Sequence, residues 1–522
     1  MTDVRILTEP LGGSALSQAI QQGRVPASWR APQPADVESW ATRVRARAAA
    51  RDWATAWDHL DAAIVATGEA KRRLDRVRRD GGVVVTTGQQ PGLFGGPIYT
   101  WTKAAGALAL ADAIQDATGV PAAAVFWAAT DDADFVEAST TVVARGGAAE
   151  ELRDRHAPVA GTPMSQATLG DMHDLLARLA DACGSGADHR ALTAARDAYA
   201  HPGATVGGAY VTLLRTLLAP LGVPVLDASH PAVHSASAPI LTLALERAGD
   251  IESALVRRSA ELRAAGFEPQ VEDMPGLSLV FGRDGAVKRR LGVSERGAAS
   301  SILTPNVLLR PIVEHAILPT VAYNAGPGEL AYFAQVGAVA ETMGLDAPLA
   351  VPRWSCTLLE PHVDAVLRRL GLHHDDFRDP HAPERQLATQ AMSEESVAGL
   401  RTMRDTIAQL PSLLGQEAHE LGLDAVVTGA QRALEHRVDR LQRRIVAGVA
   451  RRETALMRDL ATARAVLYPL GKRQERALNI IPLLARHGLQ LLSELVTAAA
   501  PHASALVGAR TVADRPAPAP VA

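Results

Sequence analysis

The chain has 522 residues, beyond the size at which one hydrophobic core keeps growing, so about two to four domains are expected. Hydrophobic residues make up 47% and charged residues 21%, a globular balance that excludes disorder as the default. Lys and Arg total 53 against 57 Asp and Glu, a formal net charge of −4, which gives no electrostatic signal for nucleic acid.

Basic clusters over 71–79 and 440–452 read first as solvated helix faces. The two cysteines, Cys183 and Cys356, lie far apart and outside any CxxC motif, so neither a disulfide scaffold nor a cysteine zinc site is suggested. The start, MTDVRILTEPLGG, has no basic segment leading into an apolar one, and no uncharged run reaches about 18 residues. A soluble, unexported, cytoplasmic protein with no membrane partner is expected.

Residues 1–80 open with a loop and turn helical. Asp36 is an N-cap for a helix in which Val37, Trp40, Ala41 and Val44 recur at helical spacing, and Gly81-Gly82 closes the basic helix that follows. Val83 to Lys103, VVVTTGQQPGLFGGPIYTWTK, then reads as strand, glycine loop and helix. Gly88, Gly92, Gly95 and Gly96 suit sharp turns or close approach of backbone to a ligand. Exposed amides at the helix start favour an anion, and Gln89 and Gln90 suit a polar, zwitterionic or sugar-like ligand. The spacing is neither GxGxxG nor GxxxxGK[ST], so neither nucleotide fingerprint applies. A ligand loop and a structural turn with buried glutamines both fit.

An alanine-rich helix from Tyr99 to Thr118 leads to Ala122–Thr130, a short apolar strand, which completes one βαβ unit. That strand empties into Asp131, Asp132, Ala133, Asp134 and Phe135, at the carboxyl end where open α/β sheets bind ligands. Residues 141–200 read as an insertion. A helix over 203–221 and the strand VPVLD follow. After a helical stretch over 236–265, segments 277–281 and 286–291 flank Gly282–Gly285 as a hairpin. A second strand, glycine loop and helix run from Val321 through Gly326-Pro327-Gly328-Glu329 to Met343, with a last strand over 347–352. Two such units point to a doubly wound α/β sheet.

No strand pattern appears beyond Glu360. His373, His374, Asp375 and Asp376 are neighbours on one short segment and are not expected to converge on a metal ion. Leu434, Val438, Leu441, Ile445, Val449, Leu456, Leu460, Ala463 and Leu467 form a coiled-coil seam with an irregular step near Gly448, or else one side of a hairpin packed on its own domain. The last residues are Pro/Ala-rich and read as a disordered tail.

The strings GQQPGLFGGPIYTWTK, FWAATDDADF, PNVLLRP, AYNAGPGELAYFAQ, PRWSCTLLE and LYPLGKRQERALNI, spread in order from about residue 83 to 490, resemble the cysteine-adding enzyme family of bacillithiol biosynthesis, BshC. The resemblance implies a Rossmann-like core similar to class I aminoacyl-tRNA synthetases, with connecting insertions and a C-terminal coiled coil that pairs two subunits. It also implies the reaction, in which the carboxyl of cysteine is joined to the amine of glucosaminyl malate. On this basis 1–140 holds the first half of the core, 141–200 and 236–300 are insertions, 201–235 and 301–385 continue the core, 386–500 is the helical domain and 501–522 the tail. Two departures stand out. The family's Glu-Asp-His-Asp-Phe is here Asp131 to Phe135 with Ala133 in place of histidine, and its Tyr-x-Gly-Gly-Pro is here Tyr323 to Pro327 with Ala325.

A free carboxylate is a poor electrophile and an ammonium has no lone pair, so the enzyme must activate one and deprotonate the other. The resemblance suggests a cysteinyl-adenylate formed from ATP, the candidate co-substrate; no metal is implied. Asp131, Asp132 and Asp134 are the catalytic candidates, to hold the cysteine ammonium or take a proton, with helix capping as the other reading. Arg310 and Arg353 suit the malate carboxylates, or else form ion pairs. Gly88, Gln89, Gln90, Gly92 and Gly95, with Tyr323, Gly326, Pro327, Glu329 and Ser355, complete the expected substrate site. Lys472, Arg473 and Arg476 suit a phosphate-bearing ligand or a solvated helix start. His201, His230 and His315 are bases only by default, and Cys356 reads as buried. A related ligase or nucleotidyltransferase with another acceptor, or a non-catalytic binding protein of this fold, are the rival readings.

Overall fold

A computed structural model of the chain describes residues 2–185, 188–285, 287–295, 302–380, 382–391, 393–452 and 454–508. The chain divides into two units, one of residues 1–143, 151–358 and 475 onward, the other of 144–150 and 359–474. The strands are β1 (Arg5–Thr8), β2 (Val83–Gln89), β3 (Ala122–Ala128), β4 (Thr140–Arg145), β5 (Ala148–Arg153), β6 (Val225–Asp227), β7 (Leu277–Asp284), β8 (Val287–Gly292), β9 (Ile302–Pro305), β10 (Thr320–Ala325), β11 (Ala350–Pro352) and β12 (Cys356–Leu359).

A five-stranded parallel sheet in the order β11-β10-β2-β3-β6 forms the centre of the first unit. The chain winds from β2 outward through β3 to β6, then returns to the other side of β2 with β10 and β11. The strand order therefore reverses between β2 and β10, the point at which such sheets open a crevice at their carboxyl ends. β3 and β10 are buried along their whole length and β2 along all but its last residue, which is why their sequences are apolar runs rather than alternating ones.

Helix α1 (Ile98–Thr118) links β2 to β3 and ends at Gly119 in the left-handed conformation. Its alanines let it lie close to the sheet: a Cβ at Gly106 would come within 3.2 Å of the Asn324 amide on β10. Helix α2 (Arg310–Ile317) enters β10, and α3 (Pro327–Thr342) leaves it. The N-cap at Asp36 forms as read, with Ser39 completing a capping box.

Three local expectations change. Arg5–Thr8 is not loop but strand β1, paired with β12. The hairpin strand β7 runs on through Asp284, so the turn begins after Asp284 rather than spanning Gly282–Gly285. β9 adds to the other edge of β7, making a three-stranded antiparallel sheet.

In the second unit, helices α4 (Glu394–Ala408) and α5 (Leu410–Glu420) pack on the long α6 (Asp424–Arg452), which is followed by α7 (Thr454–Leu467). Val438 is buried against Leu400 and Ile407 of the same chain. Leu460, Ala463 and Leu467 are also buried, whereas Leu434 and Leu441 are 39% and 44% exposed. The expected seam is thus partly filled from within; the side chain of Val449 lies outside the described residues. The final helix α8 (Gln490–Val507) packs along α1 in the first unit, so the segment from 475 joins the core and residues 501–507 are helical. The rest of the expected tail, from 509, lies outside the described residues. Among the described residues, no helix is long and apolar enough to cross a membrane.

Candidate active site

A cleft of about 880 Å³ opens over the carboxyl ends of β2 and β10, at the reversal of strand order. Its floor is built around Gly88. A Cβ there would meet the Trp127 carbonyl at 2.8 Å and Nη1 of Arg310 at 2.9 Å, so the missing side chain is what lets Arg310 lie across the strand end. Nη2 of Arg310 donates to the hydroxyls of Tyr332 (2.8 Å) and Tyr323 (3.3 Å), and its guanidinium lies over the Tyr323 ring, 5.5 Å from the centroid.

Lys103 of α1 is 4% exposed and joins the two halves of the floor. Its ammonium donates to the Gly88 carbonyl (2.8 Å), Oε1 of Gln89 (3.0 Å) and Oε1 of Glu329 (3.0 Å). Burial pulls the Lys103 pKa down, and Glu329 works against that. Glu329 also accepts from Tyr323 Oη at 2.6 Å and from the Gly326 amide at 2.5 Å, capping α3. Burial favours protonation of this carboxyl, but Lys103 and Arg310 overcome it and hold the pKa below the usual range. Gln89 points its Nε2 at Tyr99 Oη, 3.0 Å away.

The wall past β3 is acidic. Asp132 accepts the amides of Ala133 (2.6 Å) and Asp134 (3.2 Å) on one oxygen and Nε2 of Gln90 on the other. Asp134 caps the short helix Phe135–Ala138 through the Glu137 amide (3.1 Å) and does not line the cleft, whereas Asp131, Asp132, Ala133 and Glu137 do. Desolvation raises the Asp131 carboxyl, opposed by Lys288, and raises the Glu137 carboxyl together with Asp134 and Asp132.

The three-stranded sheet forms a roof. From β8, the Lys288 ammonium donates to the Asp131 carbonyl at 2.8 Å and lies 4.5 Å from the Phe281 ring centroid, while its amide donates to the Gly161 carbonyl at 2.9 Å.

The glycine loop divides in two. Residues 88–90 line the cleft, but Gly92 to Gly96 form a structural turn off it. A Cβ at Gly92 would strike Gly96 at 2.7 Å, and one at Gly95 would strike Trp101 at 2.8 Å. The amides of Gly95, Gly96 and Ile98 are taken by carbonyls of Gly92, Leu93 and Leu478, and Nδ2 of Asn479 holds the Phe94 and Gly96 carbonyls at 2.9 and 3.2 Å. The Ile98 and Thr100 amides at the start of α1 are therefore not free for an anion. In the second loop, Gly326, Pro327 and Gly328 at the start of α3 do face the cleft.

Arg353 borders the cleft, yet its fork is already filled: Nη1 and Nη2 donate to the two oxygens of Glu475 at 2.9 and 2.7 Å, and Ser355 Oγ donates to the same carboxylate at 2.9 Å. Both members of the pair are almost fully buried. Arg476 lines the cleft, while Lys472 and Arg473 belong to the second unit. His201, His230 and His315 do not line it. His230 caps a helix through the Ala232 amide, and burial with Arg47 and Arg43 pushes the His315 pKa down to about 3. Cys356 is buried, and burial raises its thiol pKa.

The residues missed from sequence are Lys103, Glu137, Lys288, Tyr332 and, beneath Arg310, Glu314. Lys103 closes the glycine-loop string, and Glu314 stands one helical turn after Arg310, so both carried a positional signal. The His373 segment corrects a geometric expectation: ligand atoms of His373, His374 and Asp375 do come within 4.8 Å of one another. His373 Nδ1, however, accepts the Asp375 amide at 3.4 Å, and Asp375 already pairs with Nε of Arg378 at 3.0 Å and accepts from Tyr468 Oη at 3.2 Å.

Two family models match. The model of the bacillithiol biosynthesis BshC N-terminal Rossmann-like domain covers residues 28–299 and 293–354, and that of the BshC C-terminal coiled-coil domain covers 356–505. Similar proteins from Solibacter usitatus (31% identity; 80% of this chain, 82% of the relative), Koribacter versatilis (32%; 85% and 87%) and Salinibacter ruber (29%; 81% and 82%) are each named as a proposed cysteine ligase, BshC. With a Rossmann-like parallel sheet, a coiled-coil domain and relatives that align over most of its length, the chain belongs to the BshC family of bacillithiol biosynthesis.

Proposed function

We propose that this protein joins the carboxyl of L-cysteine to the amine of glucosaminyl malate, the cysteine-adding step of bacillithiol biosynthesis. The observation that carries this reading is the split charge of the cleft: Arg310 on the floor faces a wall of Asp131, Asp132 and Glu137. A guanidinium suits the malate carboxylates, and the opposite carboxylates suit an ammonium. Arg310 takes the carboxylate role assigned to both arginines; Arg353, locked on Glu475, keeps the floor in shape.

The acceptor amine must lose a proton before it attacks. Ala133 leaves no imidazole beside the acidic wall, and Asp132 is occupied with two amides and Gln90. Glu137 and Asp131, whose carboxyls are raised, are the groups best matched to accept that proton. Cysteine activation uses ATP in this reading, by likeness of the fold to adenylate-forming synthetases, with Arg476 the cleft cation available to phosphate. The protein acts in the cytoplasm as a homodimer whose contact includes the exposed Leu434 and Leu441 face of α6.

Small-thiol profiling of a strain lacking the gene tests the assignment. Loss of bacillithiol with build-up of glucosaminyl malate is expected, restored by the intact gene but not by Arg310→Ala. An unchanged thiol pool would point instead to another acceptor or to a binding protein.

A further inference from the structure

Glu314, on α2 one turn after Arg310, is 1% exposed and takes no part in the reaction proposed above. Its Oε1 lies 3.3 Å from Nη1 of Arg310. The Thr86 hydroxyl faces it from β2 and can donate to it. A buried carboxylate with Arg310 as its nearest counter-charge thus lies beside the cation assigned to the substrate carboxylate.

The surrounding charges decide what this does. Arg310 and the hydroxyls of Tyr323 and Tyr332 face Glu314, with Glu329 and Lys103 beyond them. If Glu314 is ionised, Arg310 and Lys103 are balanced by Glu314 and Glu329, and the floor has no net attraction for an anion. If it is protonated, the floor carries one net positive charge. Burial pushes the Glu314 carboxyl up to about 7, against the pull of Arg310. A ligand carboxylate arriving at Arg310 takes over the guanidinium and leaves Glu314 the worse solvated of the two.

Building on the assignment of Arg310 to the acceptor's carboxylate, we infer that Glu314 is a positioning residue that steadies Arg310 in the empty cleft and takes up a proton when a carboxylate binds there. Above the Glu314 titration each binding event then requires one proton, so affinity falls up to about tenfold per pH unit; below it, affinity is flat.

The test is calorimetric titration of L-malate into the full chain at about pH 8 in HEPES and in Tris, whose ionisation enthalpies differ. Expected are heats that differ between buffers by up to about one proton per site, affinity that drops between about pH 7.5 and 8.5, and neither effect in Glu314→Gln. Arg310→Gln should abolish binding. Equal heats in the two buffers for the wild type, or a buffer difference retained in Glu314→Gln, would overturn the coupling while leaving the carboxylate site intact. Absence of malate binding to the wild type would overturn the carboxylate assignment and the coupling with it. Should Glu314→Gln fail to fold, Thr86→Val, which removes the hydroxyl facing the carboxylate, should move the pH at which affinity falls upward, and an unmoved profile would overturn the coupling.

Discussion

At the scale of single residues, the site depends on an atom that is absent. Gly88 has an ordinary strand backbone, so its role is space rather than unusual torsion angles: a methyl there would press on the Trp127 carbonyl and on Arg310 together. The carbonyl belongs to the neighbouring strand and cannot move, so the arginine must. Gly88→Ala should therefore cost about 1–3 kcal/mol of stability, read by urea denaturation, and should also weaken L-malate binding well beyond that of a control substitution at the exposed, helical Gly429. Equal malate affinity in Gly88→Ala would show that Arg310 does not hold the ligand. Gly88 and Arg310 were visible in the sequence because each sits in an unusual string. Lys103 ends the same string as Gly88, but its role was not legible, since what makes it matter is a carboxylate 226 positions away, on Glu329.

Elements that repeat a pattern were legible; elements that depend on distant partners were not. Both strand–loop–helix units announced themselves through β-branched or apolar runs stopped by glycine. β1 carried no such mark, because Arg5–Thr8 is a short edge segment that becomes a strand only on meeting β12, some 350 residues on. The same distance effect left the reading of Arg353 open between a substrate carboxylate and an ion pair. The fork looked available for substrate because Glu475, on the segment after the helical unit, could not be placed against β11 from sequence. This pair now yields a prediction at the level of how elements are joined. Glu475→Ala leaves a buried guanidinium without its counter-charge and should destabilise the first unit by about 3–5 kcal/mol, whereas replacing both residues with Met and Leu should cost much less. Chemical denaturation of the single and double variants checks this, and a mild effect of Glu475→Ala would mean that water reaches Arg353.

The whole molecule has two units, and the helical stripe of the second is engaged differently along its length. Val438 is engaged by Leu400 and Ile407, so a charge there should strip amide-exchange protection from α4 and α6 while leaving the sheet of the first unit protected. Leu441 is open, so Leu441→Glu should keep the helices folded and, if this face is the subunit contact, convert a dimer to a monomer in light scattering. A dimer that survives Leu441→Glu puts the contact elsewhere. Sequence periodicity marked all these positions alike because it records which residues are apolar every three or four positions, not which partner covers them.

The roof over the cleft has a consequence for traffic. The floor is pinned by Lys103, which grips both halves of the sheet, and by the Arg353–Glu475 pair, so it cannot widen without exposing buried charge. The contacts of Lys288 with the Asp131 and Gly161 carbonyls are of another kind: two hydrogen bonds that water can replace, each worth about 0.5–1.5 kcal/mol. These two contacts are the replaceable ones, whereas Leu279, Val280 and Leu291 of the same sheet are seated in the hydrophobic core, so the enclosure can loosen over Asp131 and Gly161 without the sheet leaving its place.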